Sequence, residues 1–205
     1  MTATRIGVLR MIAASLILLL GTALALREAM IRAYVADQPQ VAARFWPASG
    51  EALGLLALQR ARGADGVLDD EGQRLMVGGM RRIPGAGLPL TLAGLDASGR
   101  GDLSRATGLM EMARHRAPRM LLVRTWLLNQ YAQSGRYAEA LGEAGVVMRL
   151  SSDSREQVYA LISAISTQPG GAQAVQAALS AEPDWAKPYR RWLAARPGVA
   201  MADQG

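Results

Sequence analysis

Few side chains in this 205-residue chain are of a type that does chemistry, and their spacing limits what they can do. There is no cysteine, which removes disulfides, thiolate nucleophiles and thiolate-held zinc or iron–sulfur centres together. His115 is the single histidine, so a cluster of imidazole ligands is excluded as well. It stands in Arg114-His115-Arg116, with no carboxylate beside it to orient it as a base. Asp69-Asp70-Glu71 is a carboxylate run, but it lies where a helix is expected to begin, and acids there complement the helix dipole. Pro84-Gly85-Ala86-Gly87 lacks the lysine and the preceding strand that a phosphate-binding loop needs. Ser134 has no histidine placed to complete a triad. The expectation is a protein that is not an enzyme and takes no cofactor or metal.

The elements that carry these residues are legible from composition. The chain is 50% hydrophobic but only 5% aromatic, so its core must be built from Leu, Ala, Val, Ile and Met, which favours an all-α fold. Its 23 basic residues, all arginine but for Lys187, stand against 17 acids and leave a net charge of +6. Arg81-Arg82, Arg114 with Arg116 and Arg119, and Arg190-Arg191 are the basic clusters. Spread over several helices they make a modest field, read here as a solvated face or a contact for acidic lipid, polysaccharide or protein, and not as a nucleic-acid surface.

At the N-terminus, Arg5 and Arg10 precede the uncharged stretch Met11 to Leu26, closed by Arg27 and Glu28. Sixteen residues at a helical rise cover roughly 24 Å of a ~30 Å hydrocarbon core, and Ile6 to Leu9 extend the run if Arg10 snorkels. The stretch reads as a membrane helix contacting the bilayer through residues 11–26. A cleavable signal peptide is the rival reading, because Ala23-Leu24-Ala25 supplies a small-x-small pattern. Helical patterning continues through Glu28 and Arg32, an i,i+4 pair, which favours an uncleaved anchor. Arginines flank both ends, so charge alone is close to even. The short basic arm places the N-terminus in the cytoplasm and the bulk of the chain outside it. Alanine-, arginine- and glycine-rich, lysine-poor usage fits a bacterial source, for which these compartments border the inner membrane and the outer one is the periplasm.

The anchor and its continuation are assigned to residues 1–36 and a linker with two prolines to residues 37–49. Tyr34, Phe45 and Trp46 either sit at the headgroup level or pack on the first helix beyond the linker. Ser49 is the expected N-cap of the helix carrying Leu53, Leu55, Leu56 and Leu58.

From there to residue 184 small residues recur at an interval of 34. One column reads Gly72, Ala106, Ala140, Ala174, and another Gly79, Ala113, Val147, Ala181. A turn column reads Val67, Gly101, Gly135, Pro169, and a closing column Pro84, Pro118, Ser152, Ala186. Small residues let two helices approach and Gly or Pro makes the turn between them. Trp185, Tyr189 and Trp192 then share one face of a last helix, assigned with the tail to residues 185–205, as a cap that buries its apolar side. A partner-binding aromatic patch is the alternative for that face.

These columns resemble the tetratricopeptide repeat family. The copy from Leu121 to Ser154 carries the resemblance best, with Leu127, Tyr131, Gly135, Tyr137 and Ala140, and the copy before it offers Gly94, Gly101, Ala106, Ala113 and Pro118. The family's first-helix tryptophan is Arg124 here, with Trp126 beside it. Covering about Leu53 to Pro188, the resemblance implies a short α-solenoid of antiparallel helix pairs whose first helices line a concave groove. By that implication Arg124, Asn129, Gln130, Leu90 and Asp96 are the partner-binding positions. The resulting expectation is a single-pass, non-catalytic scaffold or adaptor that holds a protein partner at the membrane, in a bacterial envelope assembly. A periplasmic binding module released after Ala25, and a structural subunit packing through its own membrane helix, are the alternatives; neither the partner nor the oligomeric state is legible.

An uncleaved anchor predicts that intact-mass measurement of the membrane fraction finds the whole 21.8 kDa chain, whereas a species beginning at Leu26 identifies a signal peptide.

Overall fold

Leu-, Ala- and Met-rich segments punctuated by Gly and Pro have one economical way to satisfy their backbone, and every element of the structure is a helix. The structure, a computed structural model, describes residues 20–26, 28–30, 33–34, 37–45, 49–62, 67–83 and 86–196, and among them there is no strand. The helices are α1 (Pro39–Phe45), α2 (Gly50–Arg62), α3 (Asp70–Arg82), α4 (Gly87–Gly99), α5 (Leu103–Arg116), α6 (Leu121–Gln133), α7 (Tyr137–Leu150), α8 (Arg155–Ser166), α9 (Gly171–Ser180) and α10 (Ala186–Ala194). The all-α expectation is met. Residues 20–26 are helical and exposed, and no helix among the described residues is long and apolar enough to cross a membrane. Most of the apolar run, with Arg5 and Arg10, lies outside the described residues, as do Arg27, Arg32, Trp46 and Pro84. The chain divides into two compact units, Met1–Leu92 and Ala93–Gly205, a division that falls within α4.

In the first unit the segment 37–49, expected as a linker, contains α1. Pro39 explains the difference: at the first helical position its fixed φ suits the helix and its missing N–H costs nothing. Ala42, 1% exposed, packs with Ala52 of α2, and Tyr34, Ala43 and Leu55 gather round that pair, so Tyr34 takes the packing role of the two considered for it. Ser49 caps α2 as expected, its Oγ accepting from the Ala52 N–H at 3.2 Å. Asp69 caps α3, accepting from the Gly72 N–H at 2.7 Å. That bond, with Arg60 at 2.8 Å, holds the Asp69 carboxyl below its ordinary pKa. The carboxylate run is therefore a helix start, with Asp70 and Glu71 in the first turn. α2 and α3 meet at glycine: a Cβ on Gly79 would stand 3.0 Å from the Gly50 carbonyl oxygen, so this member of the small column has no room for a side chain.

From α4 to α9 the interval of 34 is a property of the backbone. α4, α6 and α8 begin at residues 87, 121 and 155, and α5, α7 and α9 at 103, 137 and 171. Gly101 and Gly135 adopt φ of +81° and +74°, and each ends its helix with the same bond five residues apart, Asp102 N–H to Ala97 O and Arg136 N–H to Tyr131 O, both 2.9 Å. This glycine-terminated cap is open to residues that tolerate the left-handed region. At the third turn the left-handed residue is Gly170 and not Pro169, because proline's ring fixes φ near −65°. Ala106, Ala140 and Ala113 are fully buried and Val147 is 1% exposed, whereas Ala181 is exposed beyond the end of α9, where the second column stops.

One ionic contact spans three helices. Glu143 of α7 is 4% exposed and accepts from Arg114 Nη1 of α5 at 2.8 Å and from Arg124 Nη1 of α6 at 2.9 and 3.1 Å. Arg124 Nε also donates to the Pro118 carbonyl at 3.0 Å, closing the α5–α6 connection. A second network lies at the α6–α7 turn. Tyr131 donates to Glu111 Oε1 at 2.7 Å, and Arg136 sits over the Tyr131 ring while reaching Glu111 at 3.3 Å. Burial, then the Glu111 carboxylate, push the Tyr131 phenol up to about 12. At the far end Trp185 and Tyr189 are buried and Tyr189 and Trp192 pack on Tyr159 of α8 at ring separations of 5.6 and 5.8 Å, with Arg190 and Arg191 exposed. The last helix thus has its aromatic face inward.

Two measurements probe these networks. Glu143→Gln should lower the stability of the second unit by about 3 kcal/mol in urea unfolding, since it leaves two guanidiniums without their anion, while the triple change Arg114→Met, Arg124→Met, Glu143→Leu should cost less. In a phenolate absorbance titration Tyr131 should ionise near pH 12, and Tyr131→Phe should remove one phenolate's absorbance there. The neutral phenol's contribution to stability is then complete below pH ~10 and lost as pH rises through about 12.

Candidate functional site

α6 and α8 are successive first helices of the 34-residue period, and the faces they turn to each other follow from helical spacing. Thr125, Asn129 and Gln133 stand four residues apart on α6. Gln157, Leu161 and Ile165 follow the same spacing along α8, and Gln168 stands three residues on, just past its end. Between them lie two clefts that share Asn129 and Leu161. One, of ≈ 270 Å³, reaches from Asn129 and Gln133 to Ile165, Gln168 and Tyr137; the other, of ≈ 180 Å³, from Thr125 and Leu128 to Gln157 and Val158. Together they form a groove along the helix pair.

No acid, lysine, arginine or histidine lines this groove. Its polar groups are amides and hydroxyls, set against an apolar floor of Leu128, Val158, Leu161 and Ile165. Asn129 Nδ2 donates to the Thr125 carbonyl of its own helix at 2.9 Å, which fixes the side chain and leaves its oxygen to accept from a ligand. Carboxamides both donate and accept, so such a wall can pair with the N–H and C=O groups of an extended polypeptide while the floor takes its side chains.

Of the five positions expected to bind, the structure brings Asn129 to the groove. Arg124 is held by Glu143 with a side chain only 14% exposed, so its charge serves the helix packing. Gln130, half-buried, lines neither cleft. Asp96 pairs with Arg100 one turn on, at 3.1 Å, and Leu90 is a half-buried residue of the first unit. Gln133, Gln157, Leu161 and Gln168 escaped the sequence reading although their spacing is regular, because the α8 face alternates amides with apolar residues and looks like ordinary helix surface. His115 is exposed at the end of α5, and no group of three or more potential metal ligands gathers among the described residues.

No protein-family model, curated protein or solved structure matches the chain, so this geometry stands without a relative to compare it with.

Proposed function

We propose that the protein is a non-catalytic scaffold that captures an extended segment of a partner protein in the α6–α8 groove, held at a membrane by its N-terminal apolar stretch. The observation that carries this reading is the uncharged groove through Asn129 and Leu161, with amides along its walls and an apolar floor. Helix starts at a constant interval of 34 support a tetratricopeptide-like solenoid, in which first helices line the binding surface. The anchor rests on the composition of residues 11–26. Placement of the bulk of the chain in a bacterial periplasm, within an envelope assembly, follows from that anchor and the basic arm before it.

A photo-cross-linking residue at Gln133 in the whole chain tests the groove. One discrete protein adduct is expected, reduced at least about tenfold by Asn129→Ala with Gln168→Ala at unchanged helicity. An adduct that persists in that variant removes the groove from the proposal. Arg124 is unsuited to the purpose, since altering it disturbs Glu143. Alkaline extraction should leave the chain in the membrane pellet, and its release into the supernatant would remove the anchor.

A further inference from the structure

The face of α8 away from the groove contributes to a different cavity. Arg155 and Tyr159 on α8, Met148 and Arg149 on α7, and Trp185 and Pro188 at α10 enclose ≈ 140 Å³. It shares no lining residue with the α6–α8 groove. The space exists because α7 has glycine at position 145. From the point a Cβ would occupy there, Trp185 Nε1 is 3.3 Å away and Arg149 Nη1 3.7 Å, so two nitrogen donors lie close to the glycine. Neither Arg149 nor Arg155 has an ion-pair partner among the described residues, and both are exposed. This sets them apart from Arg114, Arg124 and Arg136, whose charges are spent on Glu143, Glu111 and Glu139. Asp184 is the one acid in the lining, so the three charged groups leave the cavity with one positive charge in excess.

Volume and charge together define an occupant. A pocket of this size seats a benzene-sized apolar group. Tyr159 and Trp185, with Met148 and Pro188, supply aromatic and aliphatic walls for such a group. Two guanidiniums and an indole N–H supply donors for a planar anion, for which arginine is suited by its forked geometry. We infer that this cavity binds a monocarboxylate carrying a single benzene-sized apolar group, with the carboxylate between Arg149, Arg155 and the Trp185 indole. Asp184 on the rim disfavours dianions. The same chemistry is offered by a free aryl- or alkyl-carboxylic acid and by the last residue of a polypeptide ending in an apolar side chain.

The test is calorimetric titration of the whole chain with 3-phenylpropanoate and with its neutral amide, 3-phenylpropanamide. Saturable one-to-one binding of the acid is expected at millimolar concentration or below, with the amide at least about tenfold weaker. Arg149→Gln with Arg155→Gln should weaken the acid by a similar factor and leave unfolding unchanged, because both side chains are exposed and unpaired. The Trp185 indole N–H resonance should shift with the acid, and Asn129→Ala with Gln168→Ala should leave the titration as it is. A tetrapeptide with free C-terminal Phe, run in parallel, names the source: tighter binding than the acid identifies a polypeptide end, weaker binding a free small molecule. Equal binding of acid and amide, an unaltered titration in the double arginine variant, or no saturable binding of the acid at millimolar concentration overturns the inference.

Discussion

A single buried carboxylate sets the order of the second unit. Glu143 is taken out of water on α7, a placement tolerable only if cations reach it, and the two that do come from α5 and α6. Both guanidiniums contact it only when the three helices hold one relative rotation and one relative height. Apolar contacts among alanines and leucines tolerate a slip of register better than a charge pair does, so in an alanine-rich core this ion triad is the element that discriminates between registers. Ala106, Ala113, Ala140 and Val147 are buried within that geometry. The Tyr131–Glu111–Arg136 network repeats the device at the other end of α6, where it ties the α6–α7 turn to α5.

Two consequences follow for recognition. Arg124 and Arg114 are neutralised, so their charge is spent within the helix packing, and the α6–α8 groove is lined by amides, hydroxyls and apolar side chains. An uncharged groove of this kind offers hydrogen bonds of modest net value and burial against Leu161 and Ile165, with little long-range steering. The unpaired arginines lie instead on the opposite side of α8. One helix thus presents two surfaces of different chemistry, a neutral one through Gln157, Leu161 and Gln168 and a cationic one through Arg155, because positions two residues apart on a helix face away from each other.

How far these features were legible in the sequence depended on whether their cause is local. The turns at Gly101 and Gly135, the caps at Ser49 and Asp69, the buried alanines and the inward aromatic face of α10 each need only residues within a few positions, and each was visible. Interval counting also matched the spacing of helix starts from α4 to α9, but it assigned the third turn to Pro169 by column alone, where backbone sterics select the neighbouring glycine. Pro39 was read as a breaker, although the same residue is a helix starter when it occupies the first position. Arg124 is the instructive case. Its partner is 19 residues away on another helix, and no local pattern distinguishes an arginine aimed at a buried glutamate from one aimed at a ligand.

Asn129 lies on the α6 face that lines the clefts, and the same spacing rule applied to α8 reaches Gln157 and Leu161. Moving Asn129 forward by the period of 34 reaches Ser163, which is buried and hydrogen-bonded to Tyr189 at 3.1 Å, so the residue-by-residue repeat fails there. The groove wall on α8 is instead set by Leu161, Ala164 and Gln168. α8 has turned its polar position inward to meet α10, whose Tyr189 and Trp192 rings pack on Tyr159. The same packing brings Trp185 and Pro188 at α10 beside Arg155 and Tyr159 of α8 and Gly145, Met148 and Arg149 of α7, so the arginine-lined cavity exists where the residue-by-residue period of α6 and α7 is no longer followed.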